Sequence, residues 1–87
     1  ASHANAMAAD LAARVIGLPG LTVTRAVQAN AVFATLPADV TQRLQERFRF
    51  YTWDQATGEV RWMCSWDTTA ADVDAFAAAV AEELARS

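Results

Sequence analysis

A chain of 87 residues, 54% of them hydrophobic, is one domain's worth of polymer; it buries only about 60 to 65% of the surface its unfolded form exposes, so it can fold alone with a modest margin. Its formal net charge is −3 and its seven basic residues are spread singly and are all arginine, which argues against a nucleic-acid partner and closes every mechanism that needs a side-chain amine. The single cysteine, Cys64, cannot form an internal disulfide and with the single histidine, His3, falls short of a structural zinc set; no apolar run is long enough to span a bilayer, so a cytoplasmic protein with no membrane partner and no bound metal is expected.

In chain order, Ser2 is placed to cap a helix whose stripe is Met7, Leu11, Val15 and Leu18, with Ala4, Ala8 and Ala12 beside it, ending at Gly17 and Pro19-Gly20. Residues 21–25, LTVTR, alternate as a half-buried strand does, whereas residues 30–36, NAVFATL, are apolar on both faces and suit a central strand. Pro37 starts a second helix with a narrow seam of Val40, Leu44 and Phe48, its Gln42, Arg43, Gln45, Glu46 and Arg47 being solvated. Residues 50–54 and 59–65 flank a four-residue hairpin loop, Gln55-Ala56-Thr57-Gly58, and pair antiparallel. Thr69 and Asp72 form a capping box for a last helix with the stripe Val73, Phe76, Ala77, Val80 and Leu84, on which Glu82 and Glu83 form a solvated face. The order predicts one α+β domain over residues 1–87, a two-layer sandwich with helices on one face of a small, mainly antiparallel sheet.

Within that frame the stretch EVRWMCSWDTT, residues 59–69, sets a charge inside a run suited to burial. Alternation puts Val60, Trp62, Cys64 and Trp66 on the core face and Glu59, Arg61, Met63 and Ser65 on the other. Arg61 then has two readings: a solvated arginine paired with Glu59 or a neighbouring strand, or a carboxylate clamp that uses the fork geometry lysine cannot imitate. Cys64 reads as a small buried hydrophobe, because nothing nearby in sequence lowers its pKa, and His3 as an exposed residue of the first helical turn. Trp53, Trp62 and Trp66 read as packing residues.

The tract GEVRWMCSWDTTAADVDAF resembles the C-terminal signature of the pyridoxal-phosphate-dependent threonine aldolases, often grouped with the β-eliminating lyases. VQANAVFATLP resembles a strand of the same small domain, and HANAMAADLA the helix that enters it. The three tracts cover essentially the whole chain in the family's order. The resemblance implies a small C-terminal domain whose partner is the large domain of a longer, oligomeric enzyme. That large domain would carry the cofactor-binding lysine, the ring-stacking histidine and the aspartate facing the pyridine nitrogen, so pyridoxal phosphate would belong to the whole enzyme and be held by none of these residues.

The arginine of the V-R-x-x-x-x-x-D pattern falls on Arg61, which the resemblance makes the residue that holds the α-carboxylate of an amino-acid substrate. Gripped at two points, a β-hydroxy amino acid would present its Cα–Cβ bond for cleavage, threonine giving glycine and acetaldehyde. Asn30 matches an asparagine at that strand start in the family and stands as a second substrate contact, or as a turn residue bonding its own backbone. Ser65 replaces a histidine many members carry, leaving a strand-end hydroxyl bonded to local backbone. Trp53 and Trp66 fall at the contact with the large domain, and the outer sheet face, left bare, is expected to drive self-association. The alternative is a free-standing α+β module that binds a small molecule or a protein without catalysis.

Overall fold

The structure, a computed structural model, describes residues 2–27 and 29–86. Its elements are α1 (Ser2–Val15), β1 (Thr22–Val23), β2 (Ala31–Thr35), α2 (Ala38–Arg47), β3 (Tyr51–Asp54), β4 (Glu59–Met63) and α3 (Ala70–Ala85). The strands form one antiparallel sheet in the order β1-β2-β4-β3, so the strand expected to be central is central and the fold is the α+β arrangement the sequence implies. Among the described residues no helix is long and apolar enough to cross a membrane.

One core lies between the helices and one sheet face. Ala8, Leu11, Ala12 and Val15 of α1, Val40 and Leu44 of α2, and Val73, Ala77, Ala79 and Val80 of α3 pack on Val32 and Ala34 of β2 and Val60 and Trp62 of β4. The helical spacing of these residues makes the stripe on each helix, and the period of two makes the sheet face. Phe48, Phe50, Trp62 and Phe76 meet edge to face where α3 covers the β3 side, with ring centroids 4.9 to 6.2 Å apart. The start of α3 is fixed by the expected capping box: Asp72 N donates to Thr69 Oγ1 and Thr69 N to Asp72 Oδ2. Ser2 is the first residue of α1; its side chain, and with it the cap expected there, lies outside what is described.

Three expectations are corrected. Trp66 is 84% exposed, because β4 ends at Met63 and the chain turns through Ser65 to Thr68, so the alternation stops before it reaches Trp66. Glu59, placed on the outer face as a possible partner of Arg61, is on that face but buried, where it accepts from Thr24 Oγ1 and from Arg25 Nε and Nη2 instead. Glu83, also expected in solvent, is buried and collects Arg43 and Arg47 of α2 and Arg86, which stitches α2 to α3. Arg43 is accordingly half-buried, its Nη2 also reaching the Glu83 carbonyl. A carboxylate is tolerated there because each oxygen meets a guanidinium.

The hydrogen bond from Arg43, above all, holds the Glu83 carboxyl below the usual carboxylate range against the opposing effect of burial. A carboxyl depressed in the folded state stabilises the fold above its unfolded pKa of about 4.3, and that contribution disappears as pH falls through the lower folded value. Glu83→Gln is therefore expected to melt below the native chain at neutral pH, the gap closing as pH drops below about 4. Thermal unfolding followed across that range checks it; a gap that stays constant with pH would mean the carboxylate's charge does no stabilising.

Candidate functional site

The register of β2, β3 and β4 builds the sheet face turned away from the helices. Phe33 and Tyr51 lie opposite Arg61 on its two sides, and Ala31 lies opposite Met63. Between Thr52 and Asp54 the β3–β4 register shifts by one residue, so Asp54 rather than Trp53 opposes Glu59. The loop that follows locks the shift: Asp54 Oδ1 accepts from Ala56 N and Thr57 N, Gly58 N donates to Asp54 O, and Gly58 takes a φ of +78° that suits glycine. A bulge of this kind redirects a side chain. Here Trp53 comes to rest with its ring 4.3 Å from the Arg61 guanidinium carbon, while the edge of the pair Trp53 and Phe33 closes at 5.7 Å and 74°. Arg25, held by Glu59, covers the other part of Phe33 at 4.5 Å, which explains why an outer-face phenylalanine is buried.

Arg61 is half-buried, and among the described residues it has no hydrogen-bond acceptor and no ion-pair partner. Five other arginines, Arg14, Arg25, Arg43, Arg47 and Arg86, donate to carboxylates, and Arg49 is exposed. The pairing of Arg61 with Glu59 open to the sequence does not form, since Arg25 and Thr24 occupy that carboxylate. An aromatic ring against the face of a guanidinium leaves the in-plane N–H donors to other acceptors. This arrangement can take a carboxylate edge-on.

The other singled-out residues gather elsewhere. Asn30 Nδ2 donates to the Cys64 carbonyl at 2.6 Å, and Cys64 N donates to the Asn30 carbonyl at 2.9 Å, a reciprocal clamp that continues the β2–β4 pairing three rows beyond Phe33 and Arg61. By alternation that row belongs to the helix side, so Asn30 and Arg61 are not brought together. Ser65 Oγ donates to Asp67, and its backbone N–H to Thr68 Oγ1, so the hydroxyl bonds a side chain of its own turn rather than backbone. His3 is exposed in α1 and donates from Nε2 to the Thr68 carbonyl at 2.6 Å, tying the first helix to the β4–α3 turn. Burial pushes the Cys64 thiol up, which suits a packing residue and not a nucleophile.

A cleft of about 340 Å³ opens beside α3, walled by Leu11, Phe50, Trp62, Cys64, Val73 and Phe76. Of the titratable groups around it, the thiol is raised, Asp72 is spent on the capping box and Arg49 is exposed; the half-buried guanidinium without an acceptor among the described residues is Arg61, on the outer face. The stack under Arg61 is what sequence reasoning missed. By sequence Trp53 is a packing residue on a strand whose register is open, and the bulge brings the two rings and the guanidinium together.

No family model matches the chain. A low specificity L-threonine aldolase of Pseudomonas sp. (strain NCIMB 10558) is 39% identical over 79 residues, 90% of this chain and 22% of the relative. Another, of Pseudomonas aeruginosa, is 44% identical over 69 residues, 78% of this chain and 20% of the relative. The chain spans about a fifth of the length of the curated relatives it matches. The resemblance read from the tracts around Arg61, Asn30 and His3 is thus borne out: over nearly all of its length, this chain is a relative of the threonine aldolases and corresponds to a small part of that longer enzyme.

Proposed function

We propose that residues 1–87 form the small C-terminal domain of a pyridoxal-phosphate-dependent enzyme that cleaves β-hydroxy-α-amino acids, and that Arg61 holds the substrate's α-carboxylate. The observation that carries this reading is a half-buried guanidinium, stacked on Trp53, without an acceptor among the described residues. The similarity to L-threonine aldolases supplies the substrate class. The residues present do not fit attachment of the cofactor: the sequence has no lysine, so the large domain would have to provide it and no chemical step is assigned to this chain. When bound, the cofactor withdraws electrons from whichever Cα bond lies perpendicular to its ring. What Arg61 contributes is orientation, since a two-point grip on the carboxylate fixes rotation about Cα. Asn30 has its carbonyl oxygen Oδ1 to offer, but its amide is spent on Cys64, so its part in this reading is to hold the ends of β2 and β4 together. Tyr51 and Met63, 76% and 55% exposed beside Arg61, would meet the large domain or a second subunit of a homo-oligomer.

The test is discrimination between an amino acid and its decarboxylated counterpart. The full-length enzyme is expected to bind glycine far more tightly than methylamine, and Arg61→Gln to flatten that preference. A ratio that the substitution leaves in place would show that the carboxylate is held by another group.

A further inference from the structure

Resting on the reading of Arg61 as the carboxylate's ligand, we infer that Trp53 is a positioning residue for that site: its indole, set by the β3 bulge, holds the Arg61 guanidinium by its face in the orientation in which its edge can receive a carboxylate. An unsupported arginine on a strand samples many rotamers, and a ligand that needs one of them bears the cost of selecting it. In this sheet the selection is made in advance. Glu59, buried and fixed by Thr24, anchors Arg25; Arg25 lies over Phe33 at 4.5 Å; Phe33 meets Trp53 edge to face at 5.7 Å; and Trp53 faces Arg61 at 4.3 Å. The series runs cation, ring, ring, cation, from Arg25 just beyond β1 to Arg61 on β4, and it ends on the one half-buried guanidinium that has no carboxylate among the described residues.

The two ends of this ladder differ in a way that supports the assignment. Arg25 is held from both sides, by a ring against its face and by the Glu59 carboxylate at its edge, with Nη2 to Oε1 at 3.0 Å. Arg61 has the ring and lacks the carboxylate. The first pair therefore shows, within the same sheet face, the complete arrangement that the second would reach when a substrate carboxylate arrives. Stacking leaves the donors in the guanidinium plane unspent, so support and binding do not compete for the same hydrogens. The bulge is what makes this possible, because an unbroken ladder would set Trp53 opposite Glu59, two residues along β4 from Arg61.

Full-length enzyme carrying Trp53→Leu, Trp53→Phe, Arg61→Lys or the double substitution Trp53→Leu with Arg61→Lys separates the possibilities. Trp53→Leu is expected to raise the KM for the β-hydroxy amino acid and the dissociation constant for glycine, measured by calorimetry, together by roughly five- to tenfold, the scale of a half-exposed cation–π contact, with kcat changed less than about twofold. Trp53→Phe keeps a ring and is expected to restore most of the loss. In the double variant the Trp53 effect should vanish, because there is no fork left to orient. If Arg61→Lys impairs binding while Trp53→Leu does not, or if the Trp53→Leu loss adds in full to that of Arg61→Lys, Trp53 does not act through Arg61 and the inference falls while the carboxylate reading stands. If Arg61→Lys itself leaves glycine binding unchanged, the reading beneath it falls as well. Should Trp53→Leu fail to fold, Trp53→Phe and Trp53→Tyr decide in its place: both keep a ring face, so a tenfold loss with either overturns the proposal.

Discussion

In the full-length enzyme, Arg61→Lys is expected to lower kcat/KM by roughly ten- to more than a hundredfold, with KM rising and kcat falling together. Lysine keeps the charge but replaces a planar fork with a single ammonium, so one of the two charge-assisted hydrogen bonds is lost and the other no longer fixes direction. A hydrogen bond to an ionised group is worth about 1.5 to 3 kcal/mol, and at about 1.4 kcal/mol per factor of ten that loss gives the stated range. KM rises because the ground state is held less tightly. The fall in kcat follows from looser rotation about Cα, which reduces the fraction of bound substrate with the reacting bond aligned. Steady-state kinetics with threonine checks both parts. Unchanged constants would reduce Arg61 to a surface residue stacked on a tryptophan.

A second large effect separates two tryptophans that the strand pattern treats alike. Trp62→Ala is expected to cost about 3 to 5 kcal/mol, as for other buried aromatic truncations, and Trp66→Ala no more than about 0.5 kcal/mol. Trp62 is 3% exposed and meets Phe76 at 5.0 Å and Phe50 at 6.1 Å, so its removal leaves a void among rings that also pack on one another. Its Nε1 has no hydrogen-bond partner among the described residues, so Trp62→Phe sacrifices volume but no hydrogen bond and should cost much less than Trp62→Ala. An 87-residue domain is stable by about 4 to 13 kcal/mol in all, which puts Trp62→Ala close to global unfolding. Urea unfolding of the three variants measures the series; equal losses for Trp62→Ala and Trp66→Ala would show that the strand runs on past Met63.

Local pattern determined the order of elements, the central place of β2, the capping box at Thr69 and Asp72, and the core faces of the helices, because each depends on residues a few positions apart. The period of two in β4 placed Val60, Trp62 and Cys64 inward, and the same count placed Arg61 outward. The resemblance that singled Arg61 out rests instead on the residues of the tract around it, GEVRWMCSWDTTAADVDAF. Charge was another matter. Glu59 and Glu83 look like solvated residues in any local window, and their burial depends on arginines 34 and 40 residues away in sequence, delivered by the segment after β1 and by α2. A carboxylate enters a low-dielectric site only when such partners arrive with it, and periodicity carries no information about partners that remote. The same holds for the stack beneath Arg61. The sequence marked Trp53 as a packing residue, but a one-residue shift in strand register decided what it touches, and register is a property of two strands paired in space.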